Sequence, residues 1–200
     1  MYTSNKHRNV TFILAGICIA VFFITYLVPG ISRLLAISPY GLLRLGMFWT
    51  PLTYMFVHGG ISHLLFNMVF LIFIAPSVEE RMGSREFTVY YLLTGVLAGL
   101  FSVFAYMASG ANTFIVGASG ALYGVLLAFA AYFPQARLMV FYVIPMRAPY
   151  AMALFAGLDL FMQLRGGTGV AHLTHLSGLF FGYLYFLIRL RIDPVKEMRR

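Results

Sequence analysis

Residues 10–28, VTFILAGICIAVFFITYLV, run without a single charged side chain. A run of that length can cross a bilayer as a helix, which takes about 17–25 residues. Hydrocarbon offers no partners to backbone N–H and C=O groups, so a spanning segment is either a helix or part of a closed barrel. Barrel strands alternate apolar and polar residues. The apolar runs here are continuous, so the expected class is an all-α membrane protein. Composition agrees: charged residues make up 10% of the chain, against about 25% in a soluble domain.

Six spans are expected, at about 10–28, 53–76, 87–108, 118–133, 149–164 and 170–190, forming a single membrane domain over 1–200. Lys6 and Arg8 precede the first, and no small-residue cleavage site stands before Pro29, so it reads as a retained helix. Segment 29–52 is an apolar connection rich in Pro and Gly, read as a re-entrant or interfacial first outer loop with Trp49 anchored at the interface. LMVFYVIP, 138–145, is too short to cross and reads as interfacial, with Pro145 and Pro149 breaking the chain. The lone Cys18 excludes an internal disulfide.

The net charge of +8 raises the question of nucleic acid, but the basic residues sit at helix ends. In the six-span layout one side holds Lys6, Arg8, Arg81, Arg85, Arg137, Arg147, Arg189, Arg191, Lys196, Arg199 and Arg200. The other holds Arg33, Arg44 and Arg165. This excess places both termini in the cytoplasm, and the partner it implies is a lipid bilayer, not nucleic acid.

Polar residues inside the spans are functional candidates by default. A rise of about 1.5 Å per residue puts Ser119 roughly 22 Å above Pro134 and His175 roughly 21 Å above Arg189. On the same rise, His63 and Asn67 lie roughly 24 and 18 Å from Glu79. Four polar side chains from three helices thus share one layer, about 8–10 Å beneath the outer surface of a 30 Å core. The simplest account is a shared polar cavity.

In IVGASGALYG, 115–124, the small residues Gly117, Ala118 and Gly120 leave the Ser119 hydroxyl accessible. The fourth span is short, so ANTFIV, 111–116, is expected to enter the membrane as irregular chain, which is tolerated only within protein or beside water. Ser119 then opens a helix, where orphan N–H groups and the dipole favour negative charge. Gly120 and Gly124, and Gly178 and Gly182, are spaced four apart, a pattern that lets membrane helices approach closely. His175 shares a face with Gly178 and Gly182; His172, one turn earlier, is the rival base. Asp159, near the outer end of the fifth span, reads as a helix-end hydrogen-bonding group with access to water.

These residues resemble the rhomboid family of intramembrane serine proteases along all six spans. The motifs are HGGISHLLFNM (58–68), GASG (117–120) and HLSGLFFG (175–182). The resemblance implies a six-transmembrane-helix bundle in which Ser119 is the nucleophile and His175 the general base, a dyad with no required carboxylate. It also implies an oxyanion site of His63, Asn67 and the Ser119 N–H. Tyr123 would pack on the catalytic imidazole and His58 would line or support the cavity. His172 stands where many relatives carry asparagine, and Trp49 is followed by Thr50 where the family often has arginine.

The activity implied is cleavage of single-pass membrane proteins near the outer end of their helix, with access beside the second and fifth helices. No cofactor or metal is implied, and the setting is a bacterial plasma membrane. Other functions fit less well. A metalloprotease usually needs a spacing such as HExxH, and none occurs. A non-catalytic rhomboid-like protein that binds membrane helices needs neither Ser119 nor His175. A transporter would have only Asp159 as an acidic group within a span.

Overall fold

A computed structural model describes residues 9–141, 143–166 and 172–200. Lys6, Arg8 and the first two positions of the expected sixth span lie outside the described residues. The chain is mostly helical: α1 (Val10–Leu27), α2 (Ile31–Leu35), α3 (Pro39–Leu43), α4 (Thr50–Thr53), α5 (Ile61–Phe73), α6 (Ala75–Met82), α7 (Ser84–Ala108), α8 (Ser119–Tyr132), α9 (Ala148–Leu164), α10 (His172–Tyr185) and α11 (Pro194–Met198). Among these, α1, α7 and α10 with its continuation to Leu190 are long and apolar enough to cross a membrane. The pair Thr50–Phe56 and Ile61–Phe73, bent by 92°, is a fourth candidate as one broken span, while α8 and α9 are shorter apolar helices. The protein is therefore an integral membrane protein.

One expectation needs correction, and two connecting segments carry local structure that hydropathy alone does not assign. The second span is not one helix from 53 to 76. Gly59 and Gly60 separate the Thr50–Phe56 turns from α5, and a second break at Ile74 precedes Pro76, which occupies the first turn of α6. Pro lacks an N–H and suits a first helical turn better than an interior. Segment 138–145, expected to be interfacial, contributes to a hairpin: Arg137–Val140 (β1) and Ile144–Arg147 (β2) form an antiparallel pair, with Arg137 opposite Arg147 and Val140 opposite Ile144. The chain is thus not strictly all-α. Segment 29–52 also carries structure of its own. Ser38 caps α3 by accepting from Gly41 N at 3.1 Å, and Trp49 Nε1 donates to Leu34 O at 2.8 Å.

The centre of the molecule is α8. Every residue from Gly120 to Ala131 except Tyr123 is buried, as expected for a helix that is apolar all round. It packs against α7, α9 and α10, with α5, α6 and α11 also in contact. Tyrosine hydroxyls lock this interior. Tyr54 donates to Gly95 O at 2.6 Å and Tyr90 to Gly124 O at 2.5 Å. Between α7 and α10, Ser102 and Thr174 share a hydroxyl hydrogen bond of 2.8 Å.

The far end of α8 meets a charged layer. Glu79 on α6 accepts from the N–H groups of Val10 and Thr11 at 3.0 and 2.9 Å, and from the hydroxyls of Thr11 and Ser84 at 2.7 and 2.6 Å. Orphan N–H groups at a helix start need such an acceptor, and a carboxylate there complements the dipole. Burial would raise the Glu79 pKa, but the hydrogen bonds from Ser84, Thr11 and Val10 outweigh it and hold the carboxyl below its ordinary range.

Candidate functional site

The chain ahead of α8 is irregular through 111–118 apart from one bridge. Ile37 and Ile115 exchange backbone hydrogen bonds of 3.2 and 2.8 Å, and Gly117 N donates to Tyr54 O at 2.9 Å. These bonds tie Ile115 and Gly117 to Ile37 and Tyr54, while residues 112–114 stay exposed. Gly117 has φ +118°, a conformation that L side chains rarely adopt. A methyl group there would also lie 2.7 Å from His63 Nε2 and 3.7 Å from Ser119 Oγ. Gly117 thus lets the His63 imidazole and the Ser119 hydroxyl flank one small space.

Ser119 is the first residue of α8, so its N–H belongs to the first turn, where no intrahelical acceptor exists. Its Oγ lies 2.8 Å from His175 Nε2 on α10. The close approach comes from glycine on both helices: a methyl group on Gly178 would sit 1.9 Å from Gly120 O, and one on Gly182 would sit 3.1 Å from Gly124 Cα. Tyr123, one turn after Ser119, stacks on the His175 ring with centroids 4.5 Å apart and planes 13° from parallel.

Ser119, His175, His63, Asn67 and Tyr123 all line one cavity of about 590 Å³. Its walls include Phe66 and Phe70 from α5 and Phe155 from α9, so it extends between those helices. Asn67 donates Nδ2 to His63 O at 2.8 Å. Among the described residues its Oδ1 is one of three buried side-chain polar atoms without a partner, with His58 Nε2 and Tyr91 Oη. An amide nitrogen carries two N–H groups, so a second donor remains on Asn67.

The other predicted residues are placed differently. His58 lines a neighbouring cavity of about 540 Å³ with Arg33 and Phe22, its Nδ1 lies 3.2 Å from Phe56 O, and its ring meets His63 edge-on at 5.1 Å. His172 does not line the Ser119 cavity; its Nδ1 is 2.5 Å from Asp159 Oδ1. His175, not His172, is therefore the imidazole that reaches Ser119.

Asp159 hydrogen-bonds as expected, but not in the surroundings expected. It is 6% exposed rather than open to water. Its Oδ1 lies 3.1 Å from His175 Nδ1, and its Oδ2 accepts from the Tyr123 hydroxyl. The signal that could have found it is chemical: a carboxylate within a spanning helix persists only when paired. Asp159, His172 and His175 also offer ligand atoms within 4.8 Å of one another, enough for three bonds to a metal ion.

Apolar spanning helices around a half-buried cluster of hydroxyl, imidazole and amide groups define an integral membrane protein with a polar site inside its helical body. The Rhomboid domain description matches residues 45–192, and the chain belongs to the rhomboid family. It is 30% identical over 132 residues to presenilin-associated rhomboid-like protein, mitochondrial, of Rattus norvegicus, covering 65% of this chain and 35% of that protein. It is 32% identical over 120 residues to putative rhomboid protease YdcA of Bacillus subtilis, covering 58% of each. It is also 32% identical over 130 residues to rhomboid protease GluP of the same organism, covering 62% of this chain and 26% of that protein.

Proposed function

We propose that the protein is an intramembrane serine endopeptidase that cleaves single-pass membrane proteins near the outer end of their spanning helix. The observation that carries this reading is the 2.8 Å contact between Ser119 Oγ and His175 Nε2 within a cavity. A serine hydroxyl is a weak nucleophile until an adjacent base takes its proton. His175 Nε2 accepts that proton as Ser119 Oγ bonds to the scissile carbonyl carbon. The oxyanion that forms is met by the Ser119 N–H, His63 and the second Asn67 N–H, which lower the barrier as preorganised donors do. The protonated imidazole then gives its proton to the leaving amine. Water hydrolyses the acyl-enzyme with His175 again as base, and no cofactor takes part.

The membrane layout proposed is six spans, with α5 and its bent lead-in as the second and α8 and α9 as short fourth and fifth spans. Both termini lie in the cytoplasm of a bacterial cell and the site opens toward the outer leaflet. The cavity between α5 and α9 supports access for a substrate segment there, and that segment must unwind to expose its carbonyl, because a helix keeps its carbonyls bonded.

A membrane-anchored reporter expressed with wild-type or Ser119→Ala protein tests this. Cleavage by the wild type alone supports the proposal. Capture of the reporter by both forms without cleavage favours a non-catalytic helix-binding protein.

A further inference from the structure

We infer that the Asp159 carboxylate is a positioning group for the His175 imidazole, so that Ser119, His175 and Asp159 act as a triad rather than a two-residue pair. This rests on the reading of Ser119 as nucleophile and His175 as base. The geometry is continuous: Ser119 Oγ to His175 Nε2 is 2.8 Å, and His175 Nδ1 to Asp159 Oδ1 is 3.1 Å. To accept the serine proton, Nε2 must be the bare ring nitrogen, so the proton of the neutral ring must sit on Nδ1. A carboxylate facing Nδ1 selects that tautomer, fixes the ring, and stabilises the imidazolium that forms after proton transfer.

The carboxylate is itself held on both oxygens. Oδ2 accepts from Tyr123, and Oδ1 also faces His172 Nδ1 at 2.5 Å. Tyr123 therefore acts twice, packing its ring on the His175 face and holding the acid behind it. The helix that carries Asp159 otherwise buries little: only Ala148 and Ala151 join it among the buried residues of α9. A simple tie between α9 and α10 would need only the contact with His172. The second contact, to the nitrogen opposite the one facing Ser119, is what a positioning role requires.

The test uses full-length purified protein in detergent with a fluorophosphonate probe, which reports activation of Ser119 without any substrate. Asp159→Asn should remain folded and label at least about a hundredfold more slowly than wild type, in line with loss of a triad carboxylate. Tyr123→Phe, which keeps the stacked ring, should slow labelling less. Histidine ¹⁵N spectra, assigned with His175→Ala, should show His175 as the Nδ1–H tautomer in wild type and lose that signature in Asp159→Asn. Wild-type labelling and an unchanged tautomer in folded Asp159→Asn would overturn the inference. If Asp159→Asn does not fold, wild-type labelling of Tyr123→Phe with an unchanged tautomer overturns it instead. Failure of the underlying reading looks different: His175→Ala would then label Ser119 at the wild-type rate.

Discussion

Gly178 on α10 meets Gly120 on α8 so closely that a methyl group on Gly178 would lie 1.9 Å from the Gly120 carbonyl oxygen. That backbone contact lies next to Ser119 on α8 and about one turn after His175 on α10, and it sets the spacing of the two helices. The obstacle is backbone, which cannot swing aside as a flexible side chain can. Gly178→Ala should force α10 away from α8, with a destabilisation of about 1–3 kcal/mol for overpacking. Thermal unfolding should show the loss, and fluorophosphonate labelling of Ser119 should fall more steeply than the folded fraction does.

Removing either member of the proposed pair should abolish turnover. Ser119→Ala and His175→Ala should each lower reporter cleavage by a factor of about 10⁴ or more, with normal insertion and unfolding temperature. His172→Ala should leave partial activity, because Asp159 keeps its contacts with His175 and Tyr123. Complete loss in a folded His172→Ala protein would assign that residue a direct part in the chemistry.

Gly117→Ala places a side chain where φ is +118° and the nearest atom is His63 Nε2. Backbone strain of about 1–3 kcal/mol is expected, together with displacement of the His63 ring from the Ser119 side of the cavity. The measurable outcome is a large fall in kcat with the protein still folded. Unchanged kcat would remove His63 from the proposed oxyanion site.

Glu79 predicts a pH dependence of stability. Its carboxyl titrates below its ordinary value of 4.5 in the folded protein, so the unfolded chain binds the proton more readily. The stabilisation is therefore complete well above 4.5 and is lost as pH falls through the depressed folded value. Glu79→Ala should destabilise the protein at pH 7 by about 1–3 kcal/mol, since it strips a buried helix start of its acceptor. Unfolding temperatures of wild type and variant, followed from pH 7 downward, should converge at the acid end.

Chelation separates serine from metal chemistry. Asp159, His172 and His175 could bind a cation, but their facing atoms are engaged with one another. Cleavage should persist after exhaustive treatment with a zinc chelator. Activity lost on chelation and restored by zinc would reassign the three side chains as ligands.

Much of the molecule is legible from local chemistry. Lipid leaves an apolar run little choice but helix, so α1, α7 and α10 follow from hydropathy. The small residues around Ser119 point to an accessible hydroxyl, and one cavity holds Ser119, His63, Asn67 and His175. The break at Gly59 and Gly60 and the β1–β2 pair were not legible. An apolar run of that kind reads the same whether it is straight, bent by 92° or paired as strands.

What the chain determined by itself is its solvent, most of its helices and the presence of polar groups within them, because hydropathy depends only on residue order. Tertiary structure alone decided which of those groups touch. Asp159 reads from sequence as a helix-end acid, yet the rotation of α9 about its axis carries it inward to His172, His175 and Tyr123. That rotation is set by contacts with the separate helices α8 and α10, which no pattern within α9 encodes.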